Sequence, residues 1–154
     1  DIMLAVDIRV VKEVHRQMTL SPIPDAPPEF RGLVNLRGKI VTVIDLNVYL
    51  DREYRSSVEG TRLLILKTAT ELTIHSADED VANTGMGEDI VGLIIDRMDE
   101  VIEVDDKLIL PPIASSSEGK SGVINGVVKL EDKLILMLDL PVILDRAMNS
   151  IAKF

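Results

Sequence analysis

The chain has 154 residues, a formal charge of −9 and a hydrophobic fraction of 46%, enough for a substantial core, which excludes wholesale disorder. Aromatic residues make up only 3%, none of them Trp, and the acidic balance repels phosphate, so no nucleic-acid partner is expected. Without cysteine there is no disulfide, thiolate metal site or Cys nucleophile, and no apolar run approaches the ~20 residues of a membrane helix, so no direct membrane insertion is expected.

In chain order, the first eight residues (D-I-M-L-A-V-D-I) lack the basic stretch and cleavage site of a signal peptide. Residues 2–8 read as a strand entered abruptly, as though residues preceded it. Residues 21–28 (S-P-I-P-D-A-P-P) hold four prolines and so form a loop, since proline breaks helix interiors and central strands alike. Residues 32–36 turn through Arg37-Gly38 into 39–45, a tight hairpin. Short β-branched runs at 40–46, 63–66 and 90–95 predict further strands. Between the last two, residues 77–89 (A-D-E-D-V-A-N-T-G-M-G-E-D) read as a mobile acidic insertion, and 115–121 (S-S-S-E-G-K-S) as a flexible polar connection. A second hairpin takes 126–130 through Glu131-Asp132 into 133–139, its outgoing strand lying within 134–140. Apolar residues at Leu140, Ile143, Leu144, Ala147, Met148 and Ile151 then recur at helical spacing, predicting a C-terminal helix over 141–154.

The two hairpins are copies of one phrase. Set 94 residues apart, Gly32/Gly126, Val34/Val128, Leu36/Leu130, Lys39/Lys133, Asp45/Asp139 and Leu46/Leu140 are identical. At a spacing of 90, Val11-Lys12-Glu13-Val14 meets Val101-Ile102-Glu103-Val104, and Leu20-Ser21-Pro22-Ile23 meets Leu110-Pro111-Pro112-Ile113. Two copies are too few for a solenoid. The reading is an all-β fold of two small similar barrels packed together, each marginal alone and sharing a core once joined.

The stretch G-L-V-N-L-R-G-K-I-V-T-V-I-D-L at 32–46 resembles the signature of CheW-like domains, the coupling proteins of bacterial chemotaxis. Further matches are V-D-I-R-V-V-K-E-V at 6–14, P-D-A-P-P-E-F-R-G at 24–32, V-G-L-I-I-D-R-M-D-E-V at 91–101 and G-V-V-K-L-E-D-K-L-I-L-M-L-D-L at 126–140. The resemblance implies one domain over 1–154 made of two intertwined, five-stranded, SH3-like barrels. Residues 10–65 would form mostly the first barrel and 66–140 mostly the second. It also implies a non-enzymatic scaffold in the cytoplasm, recruited to membrane receptor arrays and needing no cofactor. Its partners would be the regulatory domain of the histidine kinase CheA and the cytoplasmic tips of chemoreceptors. Alternatives are a CheW-like adaptor in a non-motility array, and a self-associating β-barrel module. Three departures stand out. The family's further strand and hairpin before Leu4 are absent, leaving an open edge unless upstream residues or a neighbouring chain supply them. Thr42 stands where the family often has proline, and the 77–89 insertion is longer than usual.

By resemblance, the receptor- or kinase-contacting candidates are Val11, Glu13, Val14, Gly32, Asn35, Leu36 and Arg37. Arg37 is the sharpest, because a planar guanidinium fork suits carboxylates or backbone carbonyls. It also reads as a solvated turn charge, or as a pin between the two barrels. Glu13, echoed by Glu103, reads as a structural residue in both halves or as a contact. Val11 and Val14 read as core or interface, and Asp45 and Asp139 as helix N-caps. No enzyme chemistry is specified. His15 and His75 lack a ligand pattern, Asp78, Glu79 and Asp80 lack calcium-loop spacing, and Gly85-x-Gly87 lacks the third glycine of a phosphate loop.

Overall fold

The computed structural model describes residues 2–16, 18–52, 60–75, 85–112 and 122–152, together with all their side chains except those of Ile2 and His75. Asp78, Glu79, Asp80, the 115–121 connection and Lys153 and Phe154 lie outside the described residues. The elements are β1 (Ile2–Ala5), the 3-10 turn η1 (Ile8–Val10), β2 (Val11–Arg16), β3 (Phe30–Leu36), β4 (Lys39–Asp45), α1 (Leu46–Tyr49) and β5 (Arg62–Leu66). They continue as α2 (Ala69–His75), β6 (Val91–Ile95), the 3-10 turn η2 (Asp106–Leu108), β7 (Ile124–Lys129), β8 (Leu134–Leu138) and α3 (Leu140–Ala152).

The strands form two sheets, ordered β2-β5-β6-β4-β3 and β1-β8-β7. The fold is therefore mostly β with a C-terminal helix, as the sequence implies, but the second sheet has three strands among the described residues instead of five. Each sheet draws strands from both halves of the chain. β1 joins the second sheet, parallel to β8, and β6 joins the first, parallel to β4.

Alternation along the strands explains why their sequences are so uniformly apolar. In β4, Val41 and Val43 enter a small core with Val34, Leu63 and Ile65, while Ile44 enters a larger one. In β5, Leu63 and Ile65 face the small core, and Leu64 and Leu66 the larger. Strands buried on both faces cannot show the apolar-polar alternation of a half-exposed strand. The larger core takes Leu138 of β8 and Leu140, Ile143, Leu144 and Ala147 of α3, so the two halves share one interior.

The repeat is structural, not merely textual. Ser21 bridges Leu33 beside Gly32, and Leu110 bridges Val127 beside Gly126. Each strand carries a bulge at its glycine, between Phe30 and Gly32 and between Ile124 and Gly126. Asp45 accepts from the Asn47 and Val48 amides at the start of α1, and Asp139 from the Val142 amide at the start of α3, so both are N-caps. The V-x-E-V correspondence does not hold. Val11 and Glu13 lie in β2, whereas residues 101–104 belong to no strand.

Two local expectations change. The strand predicted over 2–8 stops at Ala5, because the Asp7 carboxylate accepts the Arg9 amide and turns the chain into η1. Residues 85–89, the end of the acidic insertion, are anchored. Met86 is buried in the larger core, and Glu88 accepts both the amide and hydroxyl of Thr70 at the start of α2.

Candidate protein-interaction site

The turn between β3 and β4 is built for a projecting side chain. Arg37 and Gly38 both have positive φ, 53° and 82°, the backbone of a mirror-image two-residue turn whose twist matches the flanking strands. For Arg37 the left-handed conformation costs about 1 kcal/mol. Asn35 offsets that strain, its Oδ1 accepting the Gly38 amide at 2.9 Å. The corresponding turn of the second hairpin, Glu131-Asp132, has no positive φ; its flanks close through the Leu130 amide on the Lys133 carbonyl. The difference between the copies is thus one of backbone geometry as well as charge.

Arg37 Nη1 donates to Glu13 Oε1 at 2.6 Å, although 24 residues separate them. In the sheet order, β2 and β3 are opposite edges, four strand spacings apart. Laid flat, those spacings would put about 19 Å between them, further than an arginine side chain reaches. The sheet therefore curls until the β3–β4 tip meets the face of β2, with no hydrogen-bonded ladder joining β2 to β3 among the described residues. The second oxygen, Glu13 Oε2, lies 2.6 Å from His15 Nε2, whose N–H donates to it. Paired first by the Arg37 hydrogen bond and then by His15, the Glu13 carboxyl is held down to about 2. Arg37 is correspondingly raised above its ordinary value by the Glu13 hydrogen bond.

Burial along β2 is inverted relative to its letters. Glu13 and His15, two apart, are half-buried on one face, while Val14 is 40% exposed on the other. Val11 is half-buried against the larger core, and Leu36 against the smaller. Gly32 presents no surface to a partner: at φ 135°, a Cβ there would fall 2.4 Å from Ser21 O. Of the seven candidates, the fold brings Glu13 and Arg37 into contact and gives Asn35 the task of shaping the turn. Among the apolar candidates it exposes Val14, and it assigns Val11, Leu36 and Gly32 to packing. Arg37 does not pin the two halves together; its 68% exposed side chain links two parts of one sheet.

Sequence reasoning passed over several exposed residues. Ile40, cross-strand from Asn35, is 57% exposed beside the turn. The connection from β6 to β7 exposes Met98, Val101, Ile102, Leu108 and Leu110, and Leu130 is exposed at the second hairpin. Acidic residues Asp99, Glu100, Glu103, Asp105 and Asp106 interleave with them. The signal for His15 was parity, because Glu13-x-His15 places both polar residues on one face of a strand.

Among the described residues, the buried polar or charged side chains other than Tyr49 are Asp45, Asn47 and Thr68; Asp45 is a cap, Asn47 donates to Asp96, and Thr68 bonds Glu71. Among the described residues, no group of three or more His, Asp or Glu could hold a metal ion, and no helix is long and apolar enough to cross a membrane. A curled sheet and a companion sheet on one core, with a polar cluster where the β3–β4 tip meets β2, define a β-scaffold of the protein-binding kind.

Comparison with known proteins gives that class its family. The CheW-like domain profile matches residues 1–148, and the chain belongs to this family. It is 25% identical over 148 residues to the chemotaxis protein CheW of Bacillus subtilis, covering 96% of this chain and 83% of that protein. It is 24% identical over 135 residues to the chemotaxis protein CheW of Rhizobium meliloti, covering 88% and 76%. The crystal structure of the scaffolding protein TtCheW from Thermoanaerobacter tengcongensis superposes with a TM-score of 0.71 at 28% identity, covering 91% of this chain and 83% of that one.

Proposed function

We propose that this chain is a non-enzymatic coupling scaffold of chemotaxis signalling, working in the cytoplasm and recruited to receptor arrays. It joins the cytoplasmic tips of chemoreceptors to the regulatory domain of the histidine kinase CheA. The observation that carries the reading is the Glu13–Arg37 clamp, which joins the β3–β4 tip to β2 within a CheW-like fold. One guanidinium N–H is spent on Glu13, which orients the fork and leaves other donors for a partner's carboxylates or helix carbonyls. Val14 and Ile40 supply exposed aliphatic surface on the same curled sheet, as docking of a helix requires. The exposed aliphatics between β6 and β7, with their acidic rim, offer a second surface, and a coupling protein needs two.

The test is co-sedimentation of the folded chain with a receptor hairpin fragment and the kinase's regulatory domain. Capture of both in one complex is expected. Arg37→Ala should lose ternary assembly while staying folded, with only the small fall in melting temperature that a partly exposed ion pair accounts for. Binding to neither partner would refute the reading, and a self-associating module would instead show added mass with no partner present. Wild-type assembly by Arg37→Ala would reduce Arg37 to a turn residue.

A further inference from the structure

We propose that His15 is a positioning residue for the Glu13–Arg37 clamp, and that its protonation loosens the hold of Glu13 on Arg37. The carboxylate is shared, with Oε1 taking Arg37 and Oε2 taking His15, each at 2.6 Å. A neutral imidazole with its proton on Nε2 donates one hydrogen bond, fixing the carboxylate plane so that the other oxygen faces the hairpin. A protonated imidazole makes the same bond charge-assisted and stronger. Two cations then divide one negative charge and repel each other. Glu13 and His15 are anchored in β2 with side chains about one-quarter exposed, whereas Arg37 is 68% exposed at a turn. Arg37 is the member free to leave.

The surrounding groups do not absorb the added charge. On β5, the cross-strand partners of Glu13 and His15 are Ile65 and Leu63, both apolar. Arg62, opposite Arg16, donates to the Gly60 and Thr61 carbonyls. Lys12, on the other face of β2, pairs with Glu71. On the β3–β4 hairpin the charged residues are Arg31, Arg37, Lys39 and Asp45; the one carboxylate among them, Asp45, lies at the end of β4 away from the turn and is spent on the Asn47 and Val48 amides. Among the described residues, Glu13 is therefore the carboxylate on which both His15 and Arg37 depend. Its depressed pKa keeps Glu13 ionised at neutral and mildly acidic pH.

The experiment follows the Arg37 side-chain N–H signals of the isolated 15N-labelled protein from about pH 8 to about pH 5.5, the interval of histidine titration. Arg37 should be protected from solvent exchange at the upper end and lose protection at the lower. In His15→Gln, whose Nε2 amide supplies the donor without titrating, protection should persist across the range. In His15→Arg it should be low throughout. Identical pH courses for wild type and His15→Gln, with both folded by thermal melt, would overturn the proposal. A second readout rests on the coupling function proposed above. Affinity for a receptor hairpin fragment should fall about two- to fivefold more in wild type than in His15→Gln over the same interval, the range of a partly exposed ion pair. Loss of Arg37 protection with no such difference would leave the His15 inference standing and count against Arg37 as a partner contact.

Discussion

Gly32→Ala separates a packing glycine from a binding one. At φ 135° the new Cβ would lie 2.4 Å from Ser21 O, 2.9 Å from Ser21 C and 3.1 Å from Pro22 Cα. All three are backbone atoms, so no rotamer change relieves the clash. The chain must move Ser21 off β3, breaking the pair in which the Ser21 amide donates to Leu33 O at 2.8 Å and the Leu33 amide to Ser21 O at 2.9 Å. Two such bonds are worth about 1 kcal/mol each. Alanine held in an unfavourable backbone region adds about 1–3 kcal/mol. The expected loss is about 3–5 kcal/mol, a third or more of the stability of a typical domain. Gly126→Ala is the internal control. Its Cβ meets side chains, Ile109 Cγ2 at 2.8 Å and Met137 Sδ at 3.4 Å, which can shift. Overpacking of that kind should cost about 1–2 kcal/mol. Equilibrium urea unfolding with linear extrapolation measures both. A loss at Gly32 below about 1 kcal/mol, or smaller than at Gly126, would refute the argument and return Gly32 to the partner-contact residues.

Asp45→Ala should destabilise by about 1–2 kcal/mol, because a cap that is 2% exposed leaves two amides without their acceptor. Asp139→Ala, losing one longer bond of 3.3 Å, should cost about half as much; the reverse order in urea unfolding would contradict the capping geometry. The Glu13 carboxyl itself titrates in acid. Because the folded Glu13 carboxyl lies below its ordinary value of 4.5, its contribution to stability is complete above 4.5 and is lost as pH falls through about 2. Carboxyl 13C shifts should place the Glu13 midpoint near 2 in the wild type, and in Arg37→Ala part of the way back toward 4.5, since His15 remains. A wild-type midpoint at the ordinary value would mean that the clamp is open in solution.

Much of this protein was legible before any fold was known, because its strongest signals are local. Apolar runs bounded by glycine, proline and charge placed β3, β4, β5, β6, β7 and β8 to within two residues or so. Helical spacing gave α3, and Asp before a short apolar segment gave both caps, since a cap lies two or three residues from the amides it binds. The recurrence at 94 residues gave two related halves. What sequence position could not carry was the outcome of tertiary contact. The assignment of β6 and β1 to sheets, the role of Gly32 beside Ser21, and the meeting of Glu13 with Arg37 all join residues far apart along the chain. Those depend on how far a five-stranded sheet curls, which its whole core decides. Arg37 could be read as a turn charge, a partner's fork or a pin between halves, and only the curl shows that it closes on Glu13 within one sheet.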